Sequence, residues 1–363
     1  AVAAVATGAL AASRIKTLCS LKKLSSFAGA YNLYESTVAY RYDLDAIIKA
    51  GVEDDQAYID AVCKQVFPGI PVKVEAPKFA CSAFCAEAPG SVLMGRNYDF
   101  KDDTSALLVR THPKDGYASI SFSALNNLGA NMPEESLKSK VAAMLGPFAS
   151  LDGINEKGVS CSATLSTSYN EKAEEADPVT EKTGIGEYNY ASVILGESAT
   201  AREGVELLGN LIDEQGVCSN DQIIIADNNE TWLFAALSGH QWIAMRLTDD
   251  IASLNPNIGN LTYDVDLDDT ENCLHSEGIE SMPKEKGFAE YTDGKFDVAK
   301  TYGEEISEAG MHQWSRYVQG RDYFMAPLAE GTDYEIVKDE REDARATTGA
   351  LVHEMQPLFF QPG

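Results

Sequence analysis

The sequence predicts an α+β fold in which antiparallel strands joined by short turns are covered by amphipathic helices. Three stretches predict it: a capped amphipathic helix at residues 200–216, a β meander at 223–247, and a two-strand hairpin at 81–100. In the first, Thr200-Ala201-Arg202-Glu203 has capping-box spacing. Val205, Leu208, Leu211 and Ile212 share one helical face, and Gly216 terminates the run. The meander reads Ile223-Ile224-Ile225-Ala226, a polar turn at Asn228-Asn229, Thr231-Trp232-Leu233-Phe234, then Trp242 to Leu247. The hairpin runs out through Cys81-Ser82-Ala83-Phe84-Cys85-Ala86, turns at Glu87-Ala88-Pro89-Gly90, and returns to Phe100.

The other elements are placed by the same rules. A strand is expected over Tyr117 to Phe122, and a strand pair brackets Asn155-Glu156-Lys157-Gly158, whose glycine suits a turn. The first eighty residues read as a mostly helical leader, with apolar residues at steps of three and four over Leu44 to Ala50 and Asp54 to Val66. Pro68, Pro71 and Pro77 then break the pattern, which divides the chain into a leader at 1–80 and a main domain at 81–363. The opening Ala1 to Ala12 is apolar and small-residued, readable as a signal remnant or as an Ala-rich helix. The first reading implies a secreted or periplasmic protein, the second a cytoplasmic one.

With 363 residues, 44% of them hydrophobic, the chain can bury a sizeable core. Its 56 acidic residues against 29 basic give a formal charge of -27, which repels phosphate backbones and anionic lipid head groups. Nucleic acid is excluded as a partner, and no apolar run is long enough to insert in a membrane. A homo-oligomer is compatible with the composition. The seven cysteines show no repeated pair spacing, so neither a disulfide framework nor a zinc cage is expected, and an odd count leaves at least one thiol free. Asp264, Asp266, Asp268 and Asp269 alternate as in a calcium loop but lack its glycine and terminal glutamate, so no metal is expected. The acidic stretch Glu171 to Glu181 reads as a solvated loop. His240, beside Trp242, either lines a pocket or holds a hairpin edge.

Cys81 is the candidate nucleophile. With the turn centred near Gly90, paired residues sum to about 180, so Cys81 faces the neighbourhood of Asp99. Strict alternation then turns Arg96 to the other face, and its approach to the thiol requires a bend or bulge. Only the thiolate attacks an amide readily, and no histidine is an obvious partner. A second route exists if Cys81 is the first residue of a mature chain: its α-amino group, with a reference pKa of roughly 7.7 to 8.0, can accept the thiol proton. Asp99 would orient the amine, Arg96 would stabilise the thiolate, and an amide side chain with a backbone N–H would hold the oxyanion. The competing reading makes Cys81 a small core residue and Asn97-Tyr98-Asp99 plain turn chemistry. Cys85, an even offset away, shares a face with Cys81.

Cys81-Ser82-Ala83-Phe84 followed by Arg96-Asn97-Tyr98-Asp99 resembles the opening of the N-terminal-nucleophile linear amide hydrolases, the group of bile salt hydrolase, penicillin V acylase and acid ceramidase. Thr111 to Ile120 and Asp152 to Val159 resemble the same superfamily. Ala176-Asp177-Pro178, Gly184 to Glu187, Ala201 to Gly209, Gly239 to Arg246, Val265 to Asp269, Lys295 to Ala299 and Ser315-Arg316-Tyr317 are similar to its dipeptidase A family. The resemblance spans roughly residues 81 to 325. It implies a four-layer αββα sandwich with two stacked antiparallel sheets, and an autoprocessed cysteine hydrolase cutting a linear amide, above all the peptide bond of a dipeptide, without a cofactor. Non-peptidic linear amides are the alternative substrate, and a silent binding protein on the same fold the alternative class. By position the resemblance implies Cys81 as nucleophile, Arg96 and Asp99 as its partners, and Asn257 as oxyanion donor, with Asn255 the other alignment. It also implies a backbone N–H near Leu165 as second donor and Arg316 as a later active-site arginine. Two departures are the long leader and the short chain after Pro327.

Overall fold

The computed structural model describes residues 2–27, 31–51, 55–69, 80–88, 91–99, 104–164, 170–180, 185–247, 252–255, 257 and 265–303. The elements begin α1 (Val2–Ser20), β1 (Lys22–Phe27), β2 (Tyr31–Thr37), α2 (Leu44–Gly51), α3 (Asp55–Val66), β3 (Ala80–Ala88) and β4 (Ser91–Asp99). Next come β5 (Ala106–Thr111), β6 (Ser119–Ala124), α4 (Leu137–Ala142), β7 (Asp152–Asn155), β8 (Ser160–Thr164), α5 (Glu171–Ala176), α6 (Glu187–Glu197) and α7 (Ala201–Gln215). The last are β9 (Gln222–Ala226), β10 (Thr231–Ala236), β11 (Trp242–Leu247), β12 (Ala252–Asn255), β13 (Cys273–His275), α8 (Ser281–Lys286) and α9 (Val298–Tyr302). The fold is α+β, with two compact units: one from residues 1–79, 100–162 and 181–208, the other from 80–99, 163–180 and 209 onward.

In the first unit the strands lie in the order β1-β2-β5-β6-β7-β8. Among the described residues β1-β2, β5-β6, β6-β7 and β7-β8 pair antiparallel, and β2 with β5 is parallel. The expectation of purely antiparallel sheets is corrected here. A parallel pair needs a long return, and α2 and α3 lie in the connection between β2 and β5. Residues 1–79 thus contribute strands as well as the expected helices. The strands were concealed because the inward side of β2 is polar or amphipathic: Asn32, Tyr34 and Ser36 are buried. Along β5, by contrast, Leu107 and Val109 alternate inward to a core with Tyr40, Ile47, Val66 and Leu125. The Asn155 to Gly158 turn falls where expected, with Gly158 at φ 87°. The Asn155 amide donates to Leu195 O (3.0 Å) and Ser198 O (2.7 Å) and accepts from the Lys157 and Val159 N–H groups. That staple gives the 152–159 motif a structural role.

Helix α7 starts as read: Thr200 Oγ1 accepts from Glu203 N (3.1 Å), while the Glu203 carboxylate takes the N–H of Ala199. Gly216 closes it at φ 72°. In the second unit β9-β10-β11-β13 is antiparallel and almost wholly buried. Phe234 stacks on Trp242 with centroids 5.1 Å apart, and a Cβ on Gly209 would lie 2.3 Å from the Trp242 ring, so that helix position must stay glycine. A second sheet has the order β12-β3-β4, and Met94 of β4 packs on the apolar cluster of Ile224, Leu233 and Met245. The acidic stretch is no loop over its first half. Asn170 caps α5 by accepting from Ala173 N (2.9 Å), and Ala173 is fully buried, which anchors an otherwise charged helix.

Candidate active site

The hairpin forms with one residue less in its register than the turn centre suggested: pairs sum to 179. Ala80 lies opposite Asp99, Cys81 opposite Tyr98 and Ala83 opposite Arg96. That slip of one inverts the parity expected from sequence, as a one-residue change in a strand must. Cys81 and Arg96 fall at the same parity of the pleat, so no bend is needed to bring Arg96 to the cysteine's side. Asp99 falls at the other.

The third strand is what sequence pairing did not supply. In β12, Leu254 lies opposite Phe84 and Asn255 opposite Ala83, so β3 is the central strand of three. A row Arg96, Ala83, Asn255 therefore crosses the sheet two residues along from Cys81, and opposed positions in such a ladder lie about 4.5 to 5.5 Å apart. Asn257 lies two residues beyond the end of β12, towards the level of Cys81. Asn255 is buried at 2% exposure, whereas Arg96 and Asn257 are half-buried. Cys85 opposes both Met94 and Ser253. Arg316, the backbone near Leu165, the turn at Gly90 and Asp264 lie outside the described residues.

The other candidates have different fates. His240 Nδ1 sits 2.9 Å from Asp177 Oδ1, and Asp177 Oδ2 also accepts from the His240 N–H (2.6 Å) and Ser238 Oγ (2.7 Å). Burial pushes the Asp177 carboxyl up, but these hydrogen bonds outweigh it and hold it below the usual carboxylate value. His240 therefore holds a hairpin edge to the end of α5. Sequence missed the pairing because its halves stand 63 residues apart, though both fall in dipeptidase-like motifs. Among the aspartates, Asp269 spends its carboxylate on the N–H groups of Glu271 and Asn272 and the Asn272 amide. Among the described residues no group of three or more His, Cys, Asp or Glu could hold a metal ion, and no helix is long and apolar enough to cross a membrane. Cys273 is buried, and desolvation with nearby Asp269 and Asp266 pushes its thiol up to about 12, which leaves it unreactive at neutral pH.

Comparison with known families places this α+β chain in one class of peptidase. The chain belongs to peptidase family C69, whose model matches residues 85–336. It is 30% identical over 273 residues to "Probable dipeptidase B" of Streptococcus pyogenes serotype M3, covering 73% of this chain and 54% of that protein. It is 32% identical over 239 residues to "Probable dipeptidase" of Salmonella dublin, covering 64% and 54%. The chain thus spans about half the length of the curated relatives it matches. Among solved structures, a variant of conjugated bile acid hydrolase from Clostridium perfringens overlays with 14% identity and a TM-score of 0.26, covering 73% of this chain and 78% of that one.

Proposed function

We propose that this chain is an autoprocessed cysteine amidohydrolase that cuts the peptide bond of dipeptides through a thioester. The observation that carries the reading is the register of β12-β3-β4: a cysteine at the start of the central strand, an arginine at the same parity on one neighbour, and asparagines at the end of the other. Membership of a peptidase family supports it. In this reading residues 1–80 are a propeptide, 81–363 are the catalytic domain, and the sheets form an αββα sandwich.

Processing breaks the Ala80–Cys81 bond. The Cys81 thiol attacks the Ala80 carbonyl carbon, the acyl group moves from nitrogen to sulfur, and water hydrolyses the thioester, leaving an Ala80 carboxylate and a free Cys81 amine. That amine then serves as base. It takes the thiol proton, Sγ attacks the scissile carbonyl, and Asn257 or Asn255, with the backbone near Leu165, holds the oxyanion. Collapse breaks the C–N bond as the ammonium returns its proton to the leaving amine. Water then cleaves the thioester and restores the thiol. Arg96 keeps the sulfur anionic, Asp99 at the end of β4 orients the amine, and Arg316 serves as the later active-site arginine.

A substrate panel tests the specificity. Dipeptides should be hydrolysed and conjugated bile salts and penicillin V left intact; turnover of the latter without the former refutes the dipeptidase reading. N-terminal sequencing separates the enzyme from a silent binding protein.

A further inference from the structure

The segment that cleavage at Ala80–Cys81 cuts from the rest of the chain is built into the first unit, not laid on its surface. Strand β2 lies between β1 and β5, and its parallel register on β5 runs from Leu33 beside Ala106 to Thr37 beside Arg110. The Val38 N–H extends that ladder by donating to Arg110 O (2.8 Å). Stripped of the segment, β5 becomes a bare sheet edge, open to pairing with other chains.

The core is shared in the same way. Tyr40, Ile47 and Val66 of the segment, each 1% exposed or less, form one apolar cluster with Leu107, Val109 and Leu125. The ring of Tyr42 meets that of Phe148 edge-on, with centroids 4.7 Å apart. Polar groups also cross the boundary, and buried ones need their partners. The Tyr40 hydroxyl donates to Met144 O (2.7 Å), the Thr111 hydroxyl to that of Tyr42 (3.1 Å), and the Asn32 N–H to Ser105 Oγ (3.0 Å). The segment is knit to itself as well. Arg14 of α1 donates to Val66 O at the end of α3 (3.1 Å) and lies 5.0 Å from the centroid of the Tyr40 ring, while Thr17 Oγ1 accepts from Ala39 N (2.8 Å).

Hydrolysis of one peptide bond removes none of these contacts. It removes the tether alone. Separation is then favoured only by the translational and rotational freedom of a second chain, and is opposed by an interface that resembles a domain core cut in half. We propose that residues 1–80 stay bound after processing, so that the mature protein is a two-chain particle whose N-terminal segment is a permanent subunit and not a released propeptide. The inference rests on the proposed cleavage and adds its consequence: residues 104–162 keep their fold only with this partner in place.

Native mass spectrometry of freshly purified protein, run beside a denatured sample, tests it. Denatured, the processed protein should give two chains, 1–80 and 81–363. Under native conditions it should give one particle of their summed mass, still paired on dilution to about 1 μM. A Cys81→Ala chain with a protease recognition sequence and Gly-Ser spacers inserted between Val74 and Glu75 keeps the two claims apart. If the wild-type Ala80–Cys81 bond proves intact, the processing reading falls, and the hold of the segment on the body is decided by the cut variant. In either protein, a short chain that leaves only at the urea concentration that unfolds the first unit supports the proposal. A short chain found alone in native buffer overturns it, whether or not the remainder stays folded.

Discussion

The two sheets of the second unit divide stability from chemistry. In β9-β10-β11 nearly every side chain is buried and apolar, including Ile223, Ile224, Ile225, Leu233 and Phe234. The sheet β12-β3-β4 instead carries Cys81, Arg96, Asn97, Asp99 and Asn255, the polar and reactive residue types to which the proposed function assigns the chemistry. The contrast teaches that one unit holds an apolar sheet together with a strand trio of mixed polar composition, and under the proposed function the first supplies stability and the second reactivity. Changes in the first sheet should act on folding, and changes in the second on turnover.

The sharpest way to break that division is Cys81→Ala, which should reduce turnover by about a thousandfold or more while leaving the thermal midpoint nearly unmoved. A large fall in midpoint would make Cys81 a core residue after all. Phe234→Ala should do the reverse. Loss of the ring stacked on Trp242 should destabilise by about 3–5 kcal/mol in urea unfolding, with kcat of the folded fraction unchanged. Next in size is Arg96→Ala, expected to lower kcat/KM roughly a hundredfold and to raise the pH at which alkylation of Cys81 sets in, because the cation proposed to stabilise the thiolate is gone. Smallest is Asp177→Asn. Its three hydrogen bonds to a charged acceptor weaken, costing about 1–2 kcal/mol. The folded Asp177 value lies below the unfolded one, so its contribution is present above the unfolded value of about 3.9 and is lost as pH falls through the folded value. Acid unfolding of wild type and Asp177→Asn should therefore converge at low pH.

Much of this division is written in the sequence. The helix from Ala201 to Gln215 and the meander from Gln222 to Leu247 were legible because their apolar periods, caps and turns agree with one another. Strands β1 and β2 were not, since the buried side of β2 is made of Asn32, Tyr34 and Ser36, and a polar residue satisfied inside looks like a polar residue outside. The acidic helix α5 was hidden for the opposite reason, as only Ala173 anchors it. In the candidate site the cysteine, arginine and asparagines were legible by type and order. Their arrangement was not: register depends on the turn to one residue, and that one residue decides whether Arg96 or Asp99 shares the parity of Cys81. The row through Asn255 needed a third strand that returns from over 150 residues away, which no local pattern announces.

Whole-protein mass, taken with and without a thiol alkylator on active protein, addresses the central claim most directly. The account predicts a chain that begins at Cys81 and one fast-reacting thiol there whose alkylation ends turnover. A fully active chain with its Ala80–Cys81 bond intact, or one that keeps its activity once Cys81 is alkylated, would contradict it.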